Sequence, residues 1–353
     1  MQMRTAVVGA GVVGLSTAYA LLRHGSEATV FETGAPMAAR SAGSSRIFRL
    51  AHGDPGLVAY AAAAAGLWAD WTHRAGNRLL GQQGVVLTGP TAEGWAAAMK
   101  TAGADHTFMD KDDLDTTQLG LPVEALPGPA LLDPAGGVID AKATGRFLRA
   151  AIGNRICREH IHHIEPHDDW VELHGSSGIH EVDHVVVAAG RGTAELAAQI
   201  DMYLPTQLSH HMQFTFRLKD PDQTPPCWID TTESWRDGIT SYQHTSGPGL
   251  WSIGLHLPAH LALWERGRAE VLDHSRELVQ TYVNEALIGI DNNVIEQTYC
   301  DTPTALGDGV HVATTGPVTV IWGANLFKHA PAIGQTLASA AVNGVSPQVP
   351  RSE

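Results

Sequence analysis

The chain has 353 residues, 44% of them apolar and 17% charged, with a formal net charge of −14. That supports one large or two ordinary domains around a sizeable core and excludes wholesale disorder. The acidic balance excludes a phosphate-tracking nucleic-acid binder and adhesion to anionic membranes, and three scattered cysteines, Cys157, Cys227 and Cys300, exclude a zinc ribbon or disulfide framework.

The N-terminal residues carry no charged segment followed by an apolar stretch and cleavage site. The Ala-rich run at 59–71 is broken by Gly66 and Asp70 and is too short to span a bilayer. The terminal Arg-Ser-Glu is not a peroxisomal address. A soluble cytoplasmic protein, a monomer or small homo-oligomer, is expected.

Residues 4–8 and 28–32 read as short buried strands. Between them 12–24 reads as a helix with Val13, Tyr19, Ala20, Leu21 and Leu22 on its apolar side, stopped by Gly25. This is a βαβ unit. Residues 57–75 look helical, with Leu57, Leu67, Trp68 and Trp71, and 84–90 reads as a strand ending in a turn. The polar, Pro-rich stretch 101–136 suggests a peripheral excursion. A helix is expected over 140–153 with Asp140 as N-cap. Three strands follow, 161–165, 170–175 and 180–190, the last a continuous apolar run suited to a central position. Alternation over 206–258 predicts antiparallel sheet, 260–288 a long helix or pair, 309–325 a return to strand, and 331–343 a final helix.

The expected class is α/β. A discontinuous Rossmann-type domain takes 1–83, 140–205 and 296–345. An inserted α+β substrate domain on a mainly antiparallel sheet takes 84–139 and 206–295. Nineteen histidines are scattered apart from His160, His162 and His163, and His210 and His211. Alternate histidines on a strand can bind metal, but a solvated strand face is the plainer expectation, and no metal site is assigned.

Gly9, Gly11 and Gly14 form a GxGxxG turn after the first strand. Gly9 allows the tight turn, Gly11 lets backbone approach a pyrophosphate, and Gly14 lets helix pack on sheet. Val12 and Val13 open the helix, whose N-terminus favours phosphate. Glu32, with Thr33 after it, stands at the spacing of a ribose-binding acid, roughly 20 residues on, and disfavours NADP. The fingerprint alone leaves NAD and FAD open.

Two further segments narrow the choice. Residues 42–53, AGSSRIFRLAHG, and 327–334, FKHAPAIG, join the fingerprint and the VVVAAG run at 185–190 in order along nearly the whole chain. Together they resemble the FAD-dependent amine and amino-acid oxidases of the sarcosine oxidase and glycine oxidase group, in the D-amino-acid oxidase superfamily. The resemblance implies that Gly43, Ser44, Ser45 and Arg46 lie along the flavin. It implies that Arg49 and Lys328 hold the substrate carboxylate, and that Ile161 meets the adenine through its backbone. Ala189, Gly190, Gly323, Asn325, Leu326 and Phe327 would complete the cofactor site. His256 matches a histidine of the group. Tyr242, His244, Trp228 and Trp251 are candidates for the pocket wall, as is ordinary core packing.

Three departures stand out. Ser252 takes the place of a lysine that helps oxygen react in the sarcosine oxidase branch. Ala324, Asn325 and Leu326 replace a Gly-His-Gly. A Cys-x-x-Thr-x-Thr flavin-attachment motif reads Tyr299, Cys300, Asp301, Thr302, Pro303, Thr304, with the cysteine one residue late. A one-residue shift on a strand reverses the face, which favours non-covalent FAD without excluding attachment at Cys300.

The expected reaction is oxidation of the C–N bond of a glycine-type or N-substituted amino acid to an imine, hydrolysed to amine and keto acid, with O2 reduced to H2O2. Activity should rise into the alkaline range, where the amine is neutral. The alternatives are an FAD dehydrogenase with another acceptor, an NAD enzyme, and an inactive nucleotide-binding scaffold.

Overall fold

The computed structural model describes residues 3–110, 120–304 and 306–350. Its first sheet has six strands in the order Val310–Thr315, Val318–Gly323, His184–Val187, Arg4–Val8, Glu27–Glu32, Ile156–Arg158. All neighbours are parallel except the antiparallel hairpin at 310–323. The two central strands are the apolar runs, buried on both faces as a parallel sheet requires. Helices Val12–Arg23 and Ala330–Asn343 pack together against one face. A Cβ on Gly334 would stand 2.6 Å from the Ser16 carbonyl oxygen, so that close crossing needs glycine.

A three-stranded antiparallel sheet, Ile161–Pro166, Val171–Gly175 and Gly178–Val182, covers the other face through Ile161, Ile164, Val171 and Leu173. The run at 180–190 is therefore two strands, not one. The break is Asp183, whose carboxylate accepts the Arg4 backbone N–H at 2.8 Å and its guanidinium at 2.9 Å.

The third sheet has eight strands, in the order Glu296–Pro303, Leu208–Arg217, Leu250–His256, Thr240–Gly247, Cys227–Asp230, Val85–Thr88, Ala130–Asp133, Thr107–Met109. Only Cys227–Asp230 with Val85–Thr88 is parallel. It joins the two stretches 84–139 and 206–295. The strand Glu296–Pro303 lies in this sheet, paired along Leu208–Arg217. The stretch 101–136 is less peripheral than its composition suggests: two of its strands enter the sheet, and Leu121, Val123 and Leu126 are buried in its core. Part of it, residues 111–119, lies outside the described residues.

One face of this sheet packs Phe214, Phe216, Trp251 and Ile253 against the helix Arg268–Ala286. Strand alternation sends Tyr242, His244, Ser252, His256 and Cys300 to the other face. The helices Pro55–Ala75 and Ala141–Ile152 begin at Asp54 and Asp140, whose side chains accept the N–H groups of Leu57 and Ala143 at 2.7 Å. Among the described residues no helix is long and apolar enough to cross a membrane.

Candidate active site

A cavity of about 790 Å³ runs from the glycine turn to the free face of the eight-stranded sheet. Its walls hold Gly9, Gly11, Val12, Val13, Glu32, Thr33, Ile161, Ala189 and Gly190 at one end. At the other they hold Arg46, Arg49, Tyr242, His244, His256, Gly323, Asn325, Leu326, Phe327 and Lys328. Residues from the N-terminal, middle and C-terminal thirds of the chain thus meet at one surface.

At the first end the backbone has no room for side chains. Gly9 sits at φ +106°, and a Cβ there would be 2.4 Å from the Ala188 carbonyl oxygen. A Cβ on Gly14 would be 1.9 Å from the Gly9 carbonyl oxygen. Gly14 is therefore packing behind the wall, as the fingerprint requires, not a wall itself. Glu32 accepts the Ala10 N–H at 2.8 Å and the Gly34 N–H at 2.9 Å, so it braces the turn it was expected to complement. The helix Val12–Arg23 has no acid in its first turn, which leaves its positive end turned to the cavity.

Gly43, Ser44 and Ser45 do not line the cavity. They form a shelf that Arg46 ties down. Its guanidinium donates to the carbonyls of Ser45 at 2.7 Å, Arg40 at 3.1 Å, and Ala42, and it lies over the Phe327 ring. A Cβ on Gly43 would be 2.9 Å from that guanidinium.

Arg49 and Lys328 come from segments far apart in sequence and are both nearly buried. Asp308, for which the sequence carried no signal, joins them. It accepts from Arg49 at 2.5 Å and from Lys328 at 3.4 Å, and Asn325 donates to it at 2.5 Å. Arg49 also donates to the Ala51 carbonyl at 2.6 Å and lies over the Trp95 ring. Trp68 donates to the Lys328 carbonyl at 2.9 Å, which fixes the turn that carries the lysine. His52 and His329 close the back of this cluster.

The electrostatics follow from burial. Burial and Asp308 act oppositely on Lys328, and its ammonium drops to about 8. Burial would raise Asp308, but Lys328 and Arg49 together hold it well below the carboxylate range. Burial drives His52 and His329 well down, helped by the neighbouring cations. On the sheet side burial lowers His211 to about 3 and His244 to about 4, and raises Tyr242. The sheet face is thus neutral. Arg49 and Lys328 share one carboxylate and Arg46 donates to backbone carbonyls, so this end is cationic in an acidic chain and draws anions.

Tyr242 and His211 are hydrogen-bonded at 2.8 Å, and His211 stacks on His256. A Cβ on Gly254 would lie 2.2 Å from the Tyr242 ring, so that ring crosses the sheet only because residue 254 is glycine. Trp228 and Trp251 belong to the opposite core, not the wall.

Two sequence expectations are corrected. Ser252 does not reach the cavity, because its hydroxyl pairs with Thr215 at 2.7 Å beneath the wall. Cys300 does face the cavity, while Tyr299 turns to the opposite core and His210. The register argument assumed the motif's own strand phase, whereas the pairing of Cys300 with His211 sets the phase here.

The residues fit FAD. Gly9 and Gly11 offer bare backbone beside a helix N-terminus, and Glu32 lines the same end of the cavity at the sequence spacing of a ribose-binding acid. At the far end the buried, neutral His244 lines the same cavity.

The comparisons agree with that fit. Residues 4–340 match the family described as DAO: FAD dependent oxidoreductase. No curated protein matches the sequence significantly. Among solved structures, NikD, an amino acid oxidase essential for nikkomycin biosynthesis, is 20% identical at TM-score 0.82, covering 99% of this chain and 98% of its own. L-proline dehydrogenase from P. horikoshii is 15% identical at TM-score 0.78, covering 98% and 94%. Iminodiacetate oxidase from Chelativorans sp. BNC1 is 18% identical at TM-score 0.75, covering 98% and 97%. These likenesses show the fold, and the family match along nearly the whole chain places this protein in the DAO family of FAD-dependent oxidoreductases.

Proposed function

We propose that this chain oxidises the C–N bond of a glycine-type or N-substituted amino acid to an imine, with O2 as the electron acceptor. The carrying observation is the pair Arg49 and Lys328, two nearly buried cations bridged by Asp308 on the wall of one cavity with the glycine cradle. A buried cation pair on a cavity wall calls for an anionic ligand, and an arginine fork suits a carboxylate. The names of two fold neighbours point the same way, since iminodiacetate and proline are both secondary amino acids.

FAD, when bound, supplies a two-electron acceptor for the substrate carbon. The chain's own residues do the rest. Arg49 and Lys328 hold the carboxylate and fix the α-carbon. Tyr242, with His211 behind it, offers a neutral polar group toward the amine. Phe327 and Ile47 exclude water from the same space. The neutral amine needs no catalytic base.

The test is an anaerobic visible titration with glycine, sarcosine and larger N-alkylglycines. Bleaching of the bound flavin by one of them supports the reading. Bound flavin that no amino acid bleaches overturns it. Oxygen uptake with equivalent peroxide then separates oxidase from dehydrogenase.

Lys328 adds a pH prediction. The neutral amine gains population as pH rises, but an ammonium near 8 is lost over the same range. The profile of kcat/KM should therefore be bell-shaped with an alkaline limb near pH 8, instead of rising steadily. Asp308→Asn should move that limb down, because Asp308 raises the lysine. A profile still rising at pH 10 would remove Lys328 from carboxylate binding.

Cys300 gives another prediction. Burial raises its thiol, and its Sγ–H donates to the Asp301 carbonyl at 3.2 Å, so the thiolate needed for covalent attachment is disfavoured. Acid precipitation should leave the flavin in the supernatant. Flavin retained in the pellet, and lost from it in Cys300→Ser, would show attachment.

A further inference from the structure

The strand Ile161–Pro166 gives Ile161 and His162 to the cavity wall, but His163 and Glu165 are exposed and take no part in the reaction proposed above. These two stand two residues apart and share a face. On the antiparallel neighbour, His174 pairs with His163 and Glu172 with Glu165. Two imidazoles thus occupy one rung and two carboxylates the next. Glu181 extends the acidic rung across the third strand.

Like charges directly opposite on a sheet repel. Glu165, Glu172 and Glu181 make such a row, with Arg4 near its far end. A cation seated beside Glu165 and Glu172 would offset the repulsion. The donor geometry suits one. A ring nitrogen each from His163 and His174 and a carboxylate oxygen of Glu165 all lie within 4.8 Å of one another. His174 Nε2 is buried with no hydrogen-bond partner among the described residues. It stands 3.7 Å from Glu165 Oε2 and 3.5 Å from Glu172 Oε2. Those gaps exceed an ordinary N–H···O bond. They approach the edge of a tetrahedral zinc shell, about 3.3 Å for bonds of about 2.05 Å. The ladder also shifts register between His174 and Gly175, an irregularity that re-aims a side chain.

We propose that His163, Glu165 and His174 bind a divalent transition-metal ion of the Zn2+, Ni2+ or Cu2+ class, with Glu172 alongside. Two imidazoles select that class over Mg2+ and Ca2+, which take oxygen ligands. The ligands are partly exposed, so water completes the shell. The ion joins two strands of the three-stranded sheet from outside, and one of them carries part of the cofactor wall. The histidine run that reads as a solvated strand face becomes a site only because the fold brings His174 across from the next strand.

The test is calorimetric titration of the FAD-loaded protein with Zn2+ alone, beside His163→Ala, His174→Ala and a remote control, His73→Ala. Flavin absorbance and circular dichroism establish that each variant is folded. The expected result is a site of one equivalent whose affinity falls by about tenfold or more in either variant and not in the control. Zn2+ should also raise the Tm of the parent and the control but not of the two variants. No binding, or a site indifferent to both substitutions, would overturn the proposal.

Discussion

Replacing Arg49 with alanine is expected to leave a folded, FAD-bearing protein whose kcat/KM for its carboxylate substrate falls by about 100-fold or more. A charge-assisted hydrogen bond is worth about 1.5–3 kcal/mol, and a lost fork also loosens the α-carbon. Each 1.36 kcal/mol is about tenfold in rate. The larger part should appear in KM, because the carboxylate is held before and during the reaction alike. Arg49→Lys should recover little, since an ammonium cannot donate at once to Asp308, the Ala51 carbonyl and a substrate while lying over Trp95. The substitution also strips Asp308 of its nearest cation, leaving Lys328 at 3.4 Å as its remaining ion-pair partner. The double variant with Asp308→Ala should therefore lose less than the two single losses combined. Unchanged steady-state kinetics in Arg49→Ala would take Arg49 out of the site.

Asp308 also shows where the sequence stops informing. Arg49 and Lys328 sit in segments that resemble a known family, so their roles could be anticipated from local text. Asp308 lies in a turn with no periodicity and no motif. Its importance arises when that turn folds back on two side chains from opposite ends of the chain. His52 and His329 were nearer to view, inside the same two segments as the cations. Nothing local to them shows that burial beside Arg49 and Lys328 keeps them neutral.

The strands were legible for the same reason that Asp308 was not. The runs at 6–8 and 185–187 are apolar throughout because both faces are covered, and that pattern is printed in the residues themselves. Strand phase was not printed. Cys300 was read against a motif and turned away from the cavity, whereas eight register pairs with Leu208–Arg217 turn it inward. Ser252 shares the right face and is still sealed off, because Thr215 directly opposite reaches its hydroxyl first. Phase and cover are set by the neighbouring strand, which a single sequence read along its length does not name.

Gly14→Ala should have the largest effect on the cofactor end. The added Cβ would fall 1.9 Å from the Gly9 carbonyl oxygen and 3.2 Å from Val7 Cγ1. Neither neighbour is the loose end of a flexible side chain. The helix Val12–Arg23 must move off the turn, and it cannot do so freely, because Gly334 of the last helix already lies against Ser16 on its far side. Overpacking of this kind costs about 1–3 kcal/mol where side chains can adjust, and backbone against backbone should sit at or above the upper end. A domain holds only about 5–15 kcal/mol in total. Bound FAD stabilises the folded state by mass action, so a damaged cradle forfeits that contribution as well. The variant should purify colourless, take up little added FAD, and melt lower than parent protein stripped of its flavin. Gly66→Ala is the control. It lies within the helix Pro55–Ala75, where an added Cβ meets nothing within 4 Å, so a gain of about 0.5–1 kcal/mol from helix entropy is expected with the colour unchanged. A yellow Gly14→Ala protein with the parent Tm would mean that helix and turn can part without losing the cofactor. The fingerprint would then be a packing motif in this chain and not a binding one.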